Sequence, residues 1–126
     1  MKRILVILSH QLTDNQRDEL EQLGDVVNTL SPEHKAIWSQ IPATGDSSAV
    51  ATHIAPITDM IPLHEIIVCQ GEFTAFAEVA SWCRMLDKPL YVACSARETV
   101  ETVEPDGSTK KTAVFRHVQF RSVCLC

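Results

Sequence analysis

Arg3 to Leu8 is a nearly continuous apolar run, the pattern of a strand buried on both faces of a parallel sheet. It breaks at Ser9-His10-Gln11-Leu12. Thr13 then caps a helix, with Gln16 three residues on at capping-box spacing. Leu20 and Leu23 give that helix a thin apolar stripe, and Gly24 is its stop. Asp25 to Leu30 predicts a short second strand. Ser31-Pro32 opens a short helix carrying Ile37 and Trp38, and a loop follows from Ile41 to Asp46. Ser47 or Ser48 caps a further helix to about Met60, which Pro56 is expected to kink or shorten. Ile66 to Cys69 predicts a buried strand ending at Gln70. Gly71 makes the turn, and the next helix starts at Glu72 or Phe73. Phe73, Phe76, Ala77, Ala80 and Cys83 fall on one face of it. Leu90 to Cys94 is a fourth strand, followed by Ser95-Ala96-Arg97. Glu98–Glu104 and Thr109–Arg121, β-rich runs around Pro105-Asp106-Gly107-Ser108, read as a β-hairpin.

The element order predicts one α/β domain over residues 1–126. It is Rossmann-like, a mainly parallel sheet flanked by helices, with a C-terminal β-hairpin extension over about 98–121. No apolar run reaches the roughly 20 residues of a membrane-spanning helix. The apolar segment at the N-terminus is too short for a signal peptide. Five cysteines, three of them inside apolar patterns and none in C-x-x-C spacing, suit buried thiols in a reducing cytoplasm. They suit a disulfide framework or zinc site less well.

The formal net charge of −5 argues against a general DNA or RNA binder. The charge is unevenly spread, with −6 over residues 1–96 and +1 over residues 97–126. A small anionic ligand needs only a local positive site, so the acidic total leaves one open.

Three polar clusters follow the predicted strands: Ser9-His10-Gln11, Gln70-Gly71-Glu72 and Ser95-Ala96-Arg97-Glu98. In a parallel sheet all three share one edge, where ligands of this architecture bind. An imidazole titrates near neutral pH, so His10 is a candidate acid or base; an ordinary loop histidine is the plainer explanation. Arg97 suits a phosphate, or equally a surface ion pair with Glu98 or Glu101. Glu72 suits a helix start and would repel phosphate, which leaves Gln70 and the Gly71 backbone as better contacts. Alternation along the return strand puts His117 with Phe115 and Gln119, and Arg116 with Val114, Val118 and Phe120. His34, His53 and His64 read as surface or partly packed side chains. No Walker loop, G-x-G-x-x-G or H-E-x-x-H motif is present.

Four segments together resemble one family: Leu8-Ser9-His10-Gln11-Leu12-Thr13, Ile37-Trp38-Ser39-Gln40-Ile41-Pro42, Val68-Cys69-Gln70-Gly71-Glu72-Phe73 and Val114 to Arg121. In this order they resemble the small stand-alone CRISPR-associated ring nucleases of type III systems. The resemblance implies a CARF-like domain, a cytoplasmic homodimer with the ligand across its two-fold, and cleavage of cyclic oligoadenylate, foremost cyclic tetra-adenylate, to end an antiviral signal. It implies attack by a ribose 2′-hydroxyl to leave a 2′,3′-cyclic phosphate, with no metal or cofactor and no DNA or membrane partner. Within it Ser9, His10 and His117 are the catalytic candidates. Gln11, Gln70, Gly71, Glu72, Phe73 and Arg97 contact the ligand, and Lys110 or Lys111 helps to cover it. The family commonly carries Asp where this chain has Glu72. A sensor or sequestering protein that binds the same ligand without cutting it is the alternative.

Overall fold

The structure, a computed structural model, describes residues 1–125. Its elements run β1 (Arg3–Ile7), α1 (Asp14–Leu23), β2 (Val26–Thr29), α2 (Pro32–Ser39), α3 (Ser47–Thr58), β3 (Ile66–Cys69), α4 (Phe73–Met85), β4 (Leu90–Val103) and β5 (Thr109–Ser122). The five strands form one sheet in the order β2-β1-β3-β4-β5, with β5 alone antiparallel. The α/β architecture, the flanking helices and the terminal hairpin are as the sequence predicts. They are compatible with a Rossmann-like arrangement.

Strand alternation divides the core in two. Leu5, Ile7, Ile67 and Cys69 point to the face covered by α2, α3 and α4, against Trp38, Ile54, Ile57, Val79 and Cys83. Ile4, Val6, Ile66 and Val68 point to the other face, where α1 brings Leu20 and β5 brings Phe120. Burial pushes the Cys83 thiol up to about 11 and raises Cys69 as well, Cys83 being a second cause there, so both stay protonated core groups. None of the described helices is long and apolar enough to cross a membrane.

Local chemistry explains the helix starts. Thr13 and Gln16 make the expected capping box, and Ser31 accepts from the His34 N–H with Pro32 behind it. At α3 the cap is Asp46 rather than Ser47 or Ser48, because its carboxylate accepts the Ala49 N–H at 3.2 Å. Pro56 lies in the last turn of α3, which runs on to Thr58. The core face of α4 is Ala75, Val79 and Cys83, with Phe76 and Ala80 at its flank, rather than the predicted stripe through Phe73 and Ala77. Phe73 is 90% exposed because it is the first helical residue, projecting past the end of the sheet.

The largest departure is in β4. Ser95-Ala96-Arg97 does not end a strand: β4 runs unbroken to Val103, paired with β5 throughout. Only Leu90 and Tyr91 pair with β3. Beyond that the two strands leave the sheet as a ribbon, in the direction in which β1 and β3 point. The register shifts between Cys94 and Ser95, leaving Val118 as the extra residue of a β-bulge. That shift brings Phe120 to the same side as His117, their ring centroids 4.8 Å apart, where simple alternation put them on opposite sides.

Glu19 of α1 holds the ribbon's base. One carboxylate oxygen accepts the His117 Nε2–H at 2.9 Å and the other accepts the Phe120 N–H at 2.7 Å. Gln16 completes the clamp. Its Oε1 accepts the Thr13 N–H at 3.0 Å, so its amide nitrogen is the group that faces His117 Nδ1 at 3.4 Å. Glu19→Ala leaves both donors at the ribbon's base without a partner, at a cost of about 1–3 kcal/mol for each buried one. Urea unfolding followed by tryptophan fluorescence is expected to show a loss of about 2 kcal/mol, against less than about 0.5 kcal/mol for the exposed control Glu21→Ala.

Candidate functional site

The site lies where the chain reverses its winding. β1 is followed by α1 on one face of the sheet and β3 by α4 on the other, which makes this the switch point of the sheet, and the ligand crevice of such a fold lies beyond the carboxyl ends of the two strands. Ile7 pairs with Cys69, and the Gln70 N–H donates to the Ile7 carbonyl at 3.1 Å, so both strands leave the sheet at one level. Ser9, His10 and Gln11 stand exposed on one side of the crevice, and Gln70, Gly71, Glu72 and Phe73 on the other. The structure thus brings together seven of the residues expected to form the site.

His10 pairs its Nδ1 with the Gln11 carbonyl oxygen at 2.9 Å. A carbonyl only accepts, so Nδ1 carries the proton and, in the neutral ring, the Nε2 lone pair is left to the solvent side. The amides of Gly71, Glu72 and Phe73 have no acceptor within the described chain. They are the donors this edge can offer an anion. The next two amides are taken. Glu72 caps α4 with its own carboxylate, which accepts the Thr74 N–H at 2.9 Å and the Ala75 N–H at 3.0 Å. Those two bonds hold the Glu72 carboxyl below the usual carboxylate range.

Gly71 has a steric reason to be glycine. A Cβ there would lie 2.7 Å from Trp38 Nε1 and 2.8 Å from Trp38 Cε2 and Cζ2. Trp38 is 3% exposed and donates its Nε1–H to the Gln70 carbonyl at 2.9 Å. The glycine admits the indole, and the indole fixes the end of β3.

A cleft of about 460 Å³ adjoins this edge, between the α2–α3 loop and the starts of α3 and α4. Ile41, Pro42 and Val50 give it an apolar wall, and Asp46 and Glu72 place carboxylates at its rim. A cavity of about 320 Å³ between Lys88, Cys83 and Leu125 lies at the opposite end of α4.

Arg97 stands apart from the crevice, exposed on the ribbon past the bulge. Its cross-strand partner is Phe115, and both share the ribbon face of His117, the face turned toward α1. Of the two ion-pair partners open to it, Glu98 faces the other way and meets Arg116 at 3.2 Å, and among the described residues no ion pair joins Arg97 to Glu101. Lys110 and Lys111 sit opposite Thr102 and Glu101 near the ribbon's tip, far from the strand ends. His117 is also remote from His10 in role: both its ring nitrogens are engaged in the clamp. Of the other histidines, His53 is half-buried against the Ile37 carbonyl. His64 is 5% exposed, held between the Met60 carbonyl and the Asn28 amide. Among the described residues no three His, Cys, Asp or Glu side chains gather as a metal site.

Two groups the sequence did not single out shape the site. The Glu19–Gln16 clamp was hidden because its partners are about a hundred residues apart in the chain, and Asp46 because two serines follow it. The chain belongs to the Uncharacterized protein MJ1673 family, whose model matches residues 2–121. In this MJ1673-family chain the matched segment takes in both sides of the crevice, the clamp and the whole ribbon. No curated protein matches the chain.

Two measurements check the site's architecture. Gly71→Ala drives a methyl into the buried indole, with an expected loss of about 1–3 kcal/mol in urea unfolding and a shifted Trp emission. The Glu72 cap contributes fully above the usual glutamate range and fades as pH falls through its lowered value. The melting-temperature gap between wild type and Glu72→Ala is therefore expected to be widest near neutral pH and to narrow on acidification. A gap that widens in acid contradicts the assignment.

Proposed function

We propose that this protein is a CARF-like ring nuclease that binds cyclic oligoadenylate, foremost cyclic tetra-adenylate, as a homodimer, and opens the ring without a metal ion. The observation that carries the reading is the convergence at one sheet edge of an imidazole with an unencumbered Nε2 and three unpaired backbone amides. The order of the four family-like segments supports the same reading.

In this mechanism the Gly71, Glu72 and Phe73 amides, with Gln70 and Ser9, hold a phosphate and its ribose in line. His10 Nε2 takes the proton of the 2′-hydroxyl as the oxygen attacks phosphorus. The 2′-oxygen–phosphorus bond forms, the phosphorus–5′-oxygen bond breaks, and the departing 5′-oxygen receives a proton. The products are a 2′,3′-cyclic phosphate and a 5′-hydroxyl. Positioning and electrostatic stabilisation supply most of the acceleration, which is why preorganised amides matter more here than a strong base. Glu72 occupies the second pair of α4 amides, so its part is to shape the helix start rather than to touch phosphate. Arg97 neutralises charge on the ring from the ribbon side.

The test is single-turnover incubation of purified protein with cyclic tetra-adenylate in EDTA. Wild type is expected to open the ring. His10→Ala is expected to slow cleavage by about a hundredfold or more with binding kept within a few-fold, and Arg97→Ala to weaken binding by about tenfold. An intact ring after prolonged incubation defeats the nuclease assignment. Tight binding without cleavage, indifferent to His10→Ala, selects a sequestering or sensing protein instead.

A further inference from the structure

We propose that the β4–β5 ribbon is an arm that docks on a second copy of this chain, and that Lys110 and Lys111 serve the partner's crevice rather than their own. From Arg97 to Val103 and from Thr109 to Arg116 every residue is exposed, and among the described residues no third strand pairs with either. A two-stranded ribbon is at best marginally stable alone in water, and its open edges are templates for pairing. This one also shows solvent a large apolar area: Phe115 is 71% exposed, Val103 73%, Val118 56%, Val100 45% and Val114 44%. Phe115, Ala113 and Val103 lie on one ribbon face with Lys111, its partner Glu101, and Arg97. Yet the arm's base is fixed firmly, by the bulge and by the Glu19 clamp on His117 and Phe120. A rigidly aimed, apolar, unpartnered ribbon is built for an interface.

Charge identifies the occupant. The return strand from Thr109 to Ser122 carries Lys110, Lys111, Arg116 and Arg121 and no carboxylate. Glu98, Glu101, Glu104 and Asp106 on the outgoing strand and turn bring residues 97–126 to a net +1, against −6 for residues 1–96. A second copy therefore offers the arm an acidic body, and the two-fold relation makes the contact twice. Geometry assigns the lysines. Val68 is level with Tyr91, so Gln70 is level with Ala93, and Lys111 pairs with Glu101, eight residues farther along β4. At about 3.3 Å per residue the lysines lie roughly 26 Å beyond their own strand ends, out of reach of their own crevice. An arm crossing to a partner brings them to the other copy's crevice, where ring phosphates would meet them.

The docking stands on its own, and the lysines' role rests on the nucleotide reading above. Sedimentation of the ligand-free protein at micromolar concentration is expected to give a dimer. Phe115→Ser, at an exposed position, is expected to weaken that dimer at least tenfold without altering the circular dichroism spectrum. Carboxyl-to-amine cross-linking of a mixed 14N/15N dimer is expected to join Lys110 or Lys111 to carboxylates of the other chain. A monomer, a dimer indifferent to Phe115→Ser, or cross-links confined to one chain each overturn the arm. For the lysines, His10→Ala is mixed with a Lys110→Ala/Lys111→Ala double variant. Half of the dimers then carry one intact site of two, and cleavage of cyclic tetra-adenylate is expected to return to about a quarter of wild type. No recovery, or full activity of the double variant alone, overturns service in trans. An inactive wild type that still forms the interchain cross-links defeats the nuclease reading and leaves the arm intact.

Discussion

The contact between Trp38 and the end of β3 is the constraint from which the crevice follows. Its indole is buried at the carboxyl edge of the sheet, its Nε1–H is satisfied by the Gln70 carbonyl, and its ring occupies the space a Cβ at Gly71 would need. Removing a buried tryptophan typically costs about 3–5 kcal/mol, so this is a large share of the stability of a small domain. Its consequence is directional. With the Gln70 carbonyl held by the indole, the chain turns at Gly71 and delivers the Gly71, Glu72 and Phe73 amides to the edge without internal partners. Packing on one face of the sheet thus determines what the edge can bind.

Much of this was legible in the residues. The apolar runs at Ile4–Leu8 and Ile66–Cys69 are buried to the last residue, and the Thr13–Gln16 capping box and the Ser31-Pro32 helix start formed as their chemistry requires. These are local or strictly periodic signals, and the chain obeys them because nothing tertiary competes. The failures share a cause. Arg97 was placed at a strand end because strands of a parallel core are short, and nothing in Ser95-Ala96-Arg97 announces that β5 will carry β4 onward. Phe120 was put on the face opposite His117 because a one-residue bulge is invisible to alternation and flips every side chain beyond it. Gly71 does turn the chain, but the steric demand for glycine there comes from an indole more than thirty positions away in the chain.

The clamp at Glu19 shows how such distant terms act together. The capping box that starts α1 also orients the Gln16 amide, which then faces His117 Nδ1, and Glu19 one turn later accepts from the other nitrogen. Helix capping, histidine tautomer and ribbon direction are therefore one coupled unit. Losses within it are not additive, since each bond orders the partners of the next. The sequence presents Gln16, Glu19 and His117 as three unrelated polar residues. Only the fold makes them a hinge plate.

That coupling bears on how an acidic protein could hold a polyanion. A net charge of −5 would repel one at long range, and two carboxylates, Asp46 and Glu72, rim the cleft beside the crevice. Both spend their lone pairs on helix amides, which places their negative charge where the helix dipoles already offset it. Five of the eleven Lys and Arg side chains are kept elsewhere, at Arg97 and on the return strand of the arm. A monomer holds those cations away from its own amides. Under the proposed docking, donors on the sheet edge and lysines of a partner's arm would act on one ligand shared by two chains. A division of the site between a rigid edge and a partner's arm links binding to assembly, so ligand would favour the dimer as strongly as the dimer favours ligand.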